Sequence, residues 1–371
     1  MRQKLTNSDV FKIMEQWAPR SHAYDWDNVG LQIGSHNQPV KKIMVTLDVM
    51  ESVVDEAIDQ QVNLIIAHHP MLFKPIRQLN TDSSIGRTIK KLLENDITVY
   101  ASHTNLDVAV GGVNDMLSDQ LNLGSRKVLV PTYREPLYKI AIYVPHSHKS
   151  KVLDALGENG AGHIGNYSHC TFQTEGKGSF KPLDGSQPFI GTTNEIEKVD
   201  EVKIETIVQE SNLKKVVQAM TNSHPYEEPA YDIFPLENEG EQYGIGRIGE
   251  LEHAMNVEAF CNQLKLTLGL KSLRVTGDLS KNVKKVAVLG GSGEKYIHAA
   301  KRKGADIFIT GDMTFHVAQE AWQLGLVVID AGHYIEKVMK NGTKNYLDKS
   351  LTNTGIDIIT SHINSDPFQF V

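Results

Sequence analysis

The stretch Val62-Asn63-Leu64-Ile65-Ile66-Ala67-His68-His69-Pro70 decides the fold. Its apolar run is short and contains β-branched side chains, which predicts a buried strand. Two adjacent imidazoles then leave the C-terminal end of that strand, the edge on which open α/β sheets build their ligand sites.

Upstream, Lys41-Lys42-Ile43-Met44-Val45-Thr46-Leu47-Asp48 reads as another strand, joined to this one by a helix-like stretch. The same plan recurs much later. Lys284-Lys285-Val286-Ala287-Val288-Leu289-Gly290-Gly291 leads through a helix-like stretch to Asp306-Ile307-Phe308-Ile309-Thr310-Gly311-Asp312. Lys42 to His68 spans 26 positions, and so does Lys285 to Gly311. Each copy passes through a further helix into a third apolar strand, ending at Ser102-His103 in one and Gly332-His333 in the other. His103 thereby matches His333, and a carboxylate follows each, Asp107 and Glu336. The expected fold class is α/β, with duplicated β-α-β-α-β units forming one metal-binding domain and the ligands gathered between the copies.

Between the copies the pattern changes. Leu137 to Pro145 reads as a strand, His148 to Asn159 as a helix, and His169 to Lys181 and Val199 to Gln209 as strands. Asn212 to Ser223 follows as a helix and Tyr231 to Leu236 as a last strand. This β-α-β-β-α-β order is the ferredoxin-like split unit and predicts an inserted α+β domain. Pro131 and Pro136 before it, and the polar Glu237-Asn238-Glu239-Gly240-Glu241 after it, read as linkers. The expected division is 1–128 and 244–371 for the α/β domain, with 129–243 inserted.

Composition narrows the function classes. With 371 residues, 40% hydrophobic and 22% charged, the chain has the size and balance of such a two-domain globular protein. No apolar stretch approaches the ~20 residues of a membrane helix. Met1-Arg2-Gln3-Lys4-Leu5-Thr6 lacks the apolar centre of a signal peptide, so no membrane association and a cytoplasmic location are expected. The 45 acidic and 38 basic side chains give a net charge of −7 without a basic run, which argues against nucleic-acid binding. Cys170 and Cys261 are the only cysteines, too few for a disulfide framework or a thiolate zinc site. A metal must be held by nitrogen and oxygen.

His68, His69, Asp107, His333 and Glu336 form the candidate ligand set. Imidazole and carboxylate suit Zn²⁺, Fe²⁺ or Mn²⁺ and do not choose among them; zinc is taken as the expected ion, with Fe²⁺ or Mn²⁺ as alternatives. The set exceeds the three protein ligands of one catalytic zinc. It suits two divalent ions about 3.5–4 Å apart if one carboxylate bridges them. His333-Tyr334-Ile335-Glu336 places a histidine and a carboxylate three apart, on one face if the segment is helical, which makes Glu336 the expected bridge. His68 with Asp107 would complete one ion's shell, and His69 with His333 the other's. His103, from its match to His333, could be a sixth ligand, but it is expected instead to face the substrate and carry protons, or to support the ligands.

Three further motifs have two readings each. Gly290-Gly291-Ser292-Gly293 could present backbone amides to a phosphate, or serve close packing at a tight turn. His224-Pro225-Tyr226-Glu227-Glu228-Pro229 could hold a cation, although a proline-bracketed helix exit is the more ordinary reading. Trp26-Asp27-Asn28-Val29-Gly30 is turn chemistry first and a site loop second.

These motifs together resemble the GTP cyclohydrolase 1 type 2 homologs, the NGG-one-interacting-factor-three-like family. The resemblance rests on Trp26-Asp27-Asn28-Val29-Gly30-Leu31, Ala67-His68-His69-Pro70, Ser102-His103-Thr104-Asn105-Leu106-Asp107, Gly290-Gly291-Ser292-Gly293, Gly311-Asp312 and Gly332-His333 through Glu336, and covers essentially the whole chain. It implies a two-metal site with His68, His69, Asp107, His333 and Glu336 at the ligand positions. Some relatives space the last His and Glu by four rather than three. The resemblance also implies a PII- or CutA-like inserted domain and a ring-shaped homohexamer with its metal sites facing an internal cavity. The function expected from it is metal-dependent hydrolysis of a nucleotide-like or phosphorylated small molecule. The alternative is a regulatory or metal-sensing protein that acts through assembly and partner contacts.

Overall fold

The computed structural model describes residues 5–371. They fall into two compact units: one runs up to Tyr133 and resumes with Tyr243–Val371, and the other is Arg134–Gln242.

In the first unit each sequence copy builds its own sheet. Lys42–Thr46, Leu64–Ala67 and Thr98–Ala101 pair in parallel, and Gly30–Ile33 adds antiparallel to the last of them. The second sheet repeats this with Asn282–Ser292, Ile307–Gly311 and Val327–Asp330 in parallel and Arg274–Thr276 antiparallel at the edge. Asp357–Thr360 extends the first sheet, and Gln242–Asn256 with Gly124–Arg134 extends the second. The result is a mixed α/β architecture of several sheets.

The duplication is visible in single hydrogen bonds. Asn63 Oδ1 accepts from the amides of Lys41 and Lys42 at 2.8 and 3.3 Å. Its counterpart Asp306 accepts from Lys284 and Lys285 at 3.0 and 2.9 Å. In both copies one side chain ties the start of the first strand to the start of the second.

Period-two burial fixes which side chains face which layer. Met44, Ile65 and Val99 pack against Val53, Ala57, Ile89 and Leu92 of helices Glu51–Asp59 and Ser84–Glu94. Ala287, Phe308 and Val328 do the same against Ala300 and Ala321. The alternate residues Ile43, Val45, Leu64 and Ile66 join Val286, Val288, Ile307 and Ile309 in one shared core. Parallel strands buried on both faces leave their C-terminal ends as the place where polar groups can gather.

Arg134–Gln242 has the order strand, helix, strand, strand, helix, strand. Its antiparallel sheet runs Thr171–Phe180, Glu197–Gln209, Leu137–Pro145, Tyr231–Leu236, with helices Lys149–Glu158 and Glu210–Ser223 packed on its apolar side. This is the connectivity of the ferredoxin-like split unit. Pro131 departs from expectation. Instead of lying in a linker it sits within strand Gly124–Arg134, the edge of its sheet, where a residue without an N–H is tolerated.

Candidate metal centre

The site stands on the C-terminal ends of the parallel strands of both sheets. His68 and His69 follow Leu64–Ala67, His103 follows Thr98–Ala101, and Asp107 lies on the short helix Thr104–Val108. From the second copy, His333 and Glu336 share the 3₁₀ turn His333–Lys337. Side chains three apart eclipse in a 3₁₀ turn, and His333 Nε2 lies 3.2 Å from Glu336 Oε2. The three-residue spacing therefore delivers both groups to one point.

Three groups of donor atoms lie within 4.8 Å of one another: His69 with His333 and Glu336, His68 with Asp107 and Glu336, and His68 with His69 and His103. The first two share only Glu336. Its Oε2 is 3.0 Å from His69 Nε2, and its Oε1 is 3.8 Å from His68 Nε2. One carboxylate oxygen thus faces each group.

The donor set fits divalent cations. His68 Nδ1 lies 2.9 Å from the carbonyl oxygen of Ser102, so that nitrogen carries the proton and donates. His68 Nε2 is then a bare lone pair, buried, 3.6 Å from the equally buried Asp107 Oδ1, and neither atom has a hydrogen-bond partner among the described residues. Burial holds the His68 pKa below its usual value, which disfavours a proton on Nε2. A cation satisfies both atoms.

The other three imidazoles are held the same way, each with Nδ1 on a carboxylate: His69 on Asp48 at 2.6 Å, His103 on Asp27 at 2.9 Å, and His333 on Asp312 at 2.7 Å. Such partners fix ring orientation and leave Nε2 for a metal. Asp27 also accepts from the Thr104 amide and hydroxyl, and Asp48 from the Ser365 hydroxyl.

Electrostatics divide the two carboxylates. Burial, reinforced by the charge of Glu336, raises the Asp107 pKa well above the usual carboxylate value. Burial works on Glu336 too, but the imidazoles of His333, His68 and His69 around it outweigh burial and hold the pKa well below. For His69 burial opposes protonation, yet the bonds to Asp48 and Glu336 push its pKa up to about 10. For His333 the Glu336 bond outweighs burial and, with Asp312, raises it to about 9. With protein groups alone, protons stand where cations would neutralise the acids.

His103 joins the cluster, its ring centroid 5.2 and 5.4 Å from those of His68 and His69. Its match to His333 holds only to within one residue. Ala67 pairs with Ala101 and Thr310 with Asp330, so His103 lies two residues beyond its strand and His333 three. Gly332, at φ +80°, supplies the extra position. The carboxylates coincide instead, Asp107 and Glu336 each six residues beyond the strand.

Gly290 and Gly291 lie against the cage. A Cβ on Gly290 would meet Glu336 Cγ at 3.0 Å, and one on Gly291 would meet Glu336 Oε1 at 2.6 Å. Gly293 backs onto Thr310, where a Cβ would lie 2.3 Å from Oγ1, and the Gly290 amide donates to Asn114 Oδ1 at 3.0 Å. Close approach accounts for these glycines. Ser292 is exposed at the mouth of a cavity of about 630 Å³. His69, His103, Asp107 and Glu336 line that cavity, facing Tyr24, Trp26, Phe73 and Lys295. The Tyr24 and Trp26 rings stack at 5.7 Å and 14°. Lys295 Nζ sits 5.5 and 5.0 Å from the Tyr24 and Tyr296 ring centres.

Sequence reading missed Asp48, Asp312 and the grip of Asp27 on His103. Asp312 carried a signal, because the repeat register sets it opposite His69. His224 belongs to the Arg134–Gln242 unit. Its ring nitrogens bond the Tyr143 carbonyl and the Tyr226 amide, closing the exit of helix Glu210–Ser223.

A model of the Duf34/NIF3 (NGG1p interacting factor 3) family matches residues 5–367. A Bacillus subtilis (strain 168) protein named GTP cyclohydrolase 1 type 2 homolog is 51% identical over 373 residues, covering 100% of both chains. One of the same name from Listeria innocua serovar 6a is 47% identical over 361 residues, 96% of this chain and 97% of its own. Among solved structures, a Bacillus cereus protein related to NIF3 superposes with a TM-score of 0.95 at 47% identity, and Staphylococcus aureus protein SA1388 with 0.80 at 34%, each covering 100% of both chains. No helix among the described residues is long and apolar enough to cross a membrane.

Proposed function

This chain belongs to the Duf34/NIF3 family, and we propose that it is a metal-dependent hydrolase of a nucleotide-like or otherwise phosphorylated small molecule. The observation that carries this reading is the pair of donor groups joined through Glu336, opening into an aromatic-walled cavity. His68, Asp107 and one oxygen of Glu336 would hold one divalent ion. His69, His333 and the other oxygen would hold the second. Ions so bound lower the pKa of coordinated water towards ~7 and polarise the group under attack.

The protein's own groups supply the rest. Asp48, Asp312 and Asp27 keep three imidazoles oriented. His103 faces the cavity and is placed to take or return a proton at Nε2. Trp26 and Phe73 offer flat apolar faces to a ring system, and Lys295 offers a charge to phosphate. The 290–293 backbone remains a secondary phosphate contact in this proposal. Zinc as resident ion, a homohexameric assembly and a cytoplasmic location are parts of the same proposal.

Turnover of GTP and other phosphorylated metabolites by protein loaded with Zn²⁺, Mn²⁺ or Fe²⁺ tests it, with Glu336→Gln as the comparison. Turnover that disappears in Glu336→Gln while assembly persists supports hydrolysis. No turnover by fully loaded protein across the screen refutes it. A second reading, sensing through the inserted unit, is favoured by the separate cavity that unit contains. In that case Glu336→Gln alters assembly or partner contacts without any reaction to lose.

A further inference from the structure

The Arg134–Gln242 unit carries a cavity of about 780 Å³ lined wholly by its own residues. One of them is Glu201, on strand Glu197–Gln209, only 7% exposed. Its Oε1 accepts from the Tyr226 hydroxyl at 3.0 Å. Its carboxylate occupies the space beside Gly178, where a Cβ would come within 2.1 Å of Oε2. No cationic side chain lies within ion-pair distance of Glu201 among the described residues. The two lysines on the cavity wall are paired with other acids, Lys177 with Asp200 and Lys203 with Glu205, each at 3.4 Å. Glu201 thus lines the cavity with one hydrogen bond and no counter-charge, and a cationic ligand there would complete a largely buried carboxylate.

The remaining wall suits an organic cation. Phe180 and Phe189 flank Tyr226 with ring centres 5.7 and 6.4 Å from it. Glu227 and Glu228, from the motif that ends the preceding helix, add negative charge at the same cavity. Aromatic faces around an anionic base are the chemistry that recognises ammonium groups carrying alkyl chains.

We propose that this unit binds a small alkylammonium ligand, its charge on Glu201 and its hydrocarbon body against Phe180, Phe189 and Tyr226. The site is built from residues of this unit only.

Isothermal titration of the full chain tests this with choline and n-butylammonium, with butyrate as the anion of matched size. Both cations bind at one site per chain, and butyrate does not. Glu201→Gln weakens both by about tenfold or more, in keeping with loss of a charge-assisted contact, and Phe189→Ala weakens choline most. Glu336→Gln leaves both unchanged. Circular dichroism reports whether Glu201→Gln folds; if it does not, the half-exposed Phe189→Ala decides. No heat with either cation, equal binding of butyrate, or affinities unmoved by the variants would each overturn the proposal. Displacement of the amines by Ca²⁺ at equal concentration would do so as well, by assigning the carboxylate to an inorganic ion.

Discussion

His68 Nε2 and Asp107 Oδ1 face each other at 3.6 Å, both buried and neither hydrogen-bonded. With Nδ1 of His68 donating to Ser102, Nε2 turns a lone pair towards Asp107, whose carboxyl burial favours in the uncharged form. Under the proposed metal binding, the metal-free protein should be less stable than the loaded one. At free Zn²⁺ 100-fold above Kd the gain is about 2.7 kcal/mol, roughly 5–10 °C in Tm for a domain of this size. Asp107→Ala should bind one ion instead of two and show a smaller shift. Calorimetric melting with elemental analysis checks this, and an undiminished shift in Asp107→Ala contradicts the pairing.

Gly291 leaves no room for a side chain beside Glu336. An alanine there adds a Cβ 2.6 Å from Glu336 Oε1 at φ +66°, a conformation costing an L-residue about 1–2 kcal/mol. Gly291→Ala should melt a few degrees lower and lose metal by displacing the carboxylate. Gly185→Ala, at φ +96° with nothing within 4 Å, should lose stability alone. Metal content after dialysis separates the two.

Asp48 and Asp312 bind the back of His69 and His333. Asp48→Asn and Asp312→Asn should each weaken metal binding about 10–100-fold while leaving the fold intact. Competition against a chromophoric chelator measures this. Wild-type affinity in both variants would mean that packing alone orients the rings.

Metal loading should release protons. His69 and His333, raised to about 10 and 9 by their carboxylates, hold protons at neutral pH that must leave before Nε2 can ligate. Affinity therefore rises with pH until it passes these values. Titration in buffers of different ionisation enthalpy should show more than one proton released per chain, and a pH-independent affinity would refute it.

Much of the ligand set was legible because the repeat puts its strand ends in register. Apolar runs of four to six residues announce buried strands, and a polar residue directly after such a run has to emerge at the sheet edge. His68, His69, His103 and His333 all sit there. The roles of Asp48 and Asp27 were not legible, because an acid in the segment before or after a strand reads equally well as turn chemistry until its partner is known, and the register that marked Asp312 did not say what it would hold. The 290–293 glycines gave two readings for the same reason. Their sequence demands small residues without saying what comes close. Pro131 misled because an edge strand and a linker tolerate a missing N–H alike.

The sequence by itself determined the duplication, the inserted unit's strand and helix order, and which residues leave the strand ends, since these follow from local periodicity and spacing. Tertiary structure alone decided that Glu336 reaches both donor groups, that His103 stands one residue short of the position of His333, and that Glu201 is buried without a counter-charge among the described residues. Those facts depend on distances between segments up to 268 positions apart, such as His68 and Glu336. Packing sets such distances, and no local pattern encodes them.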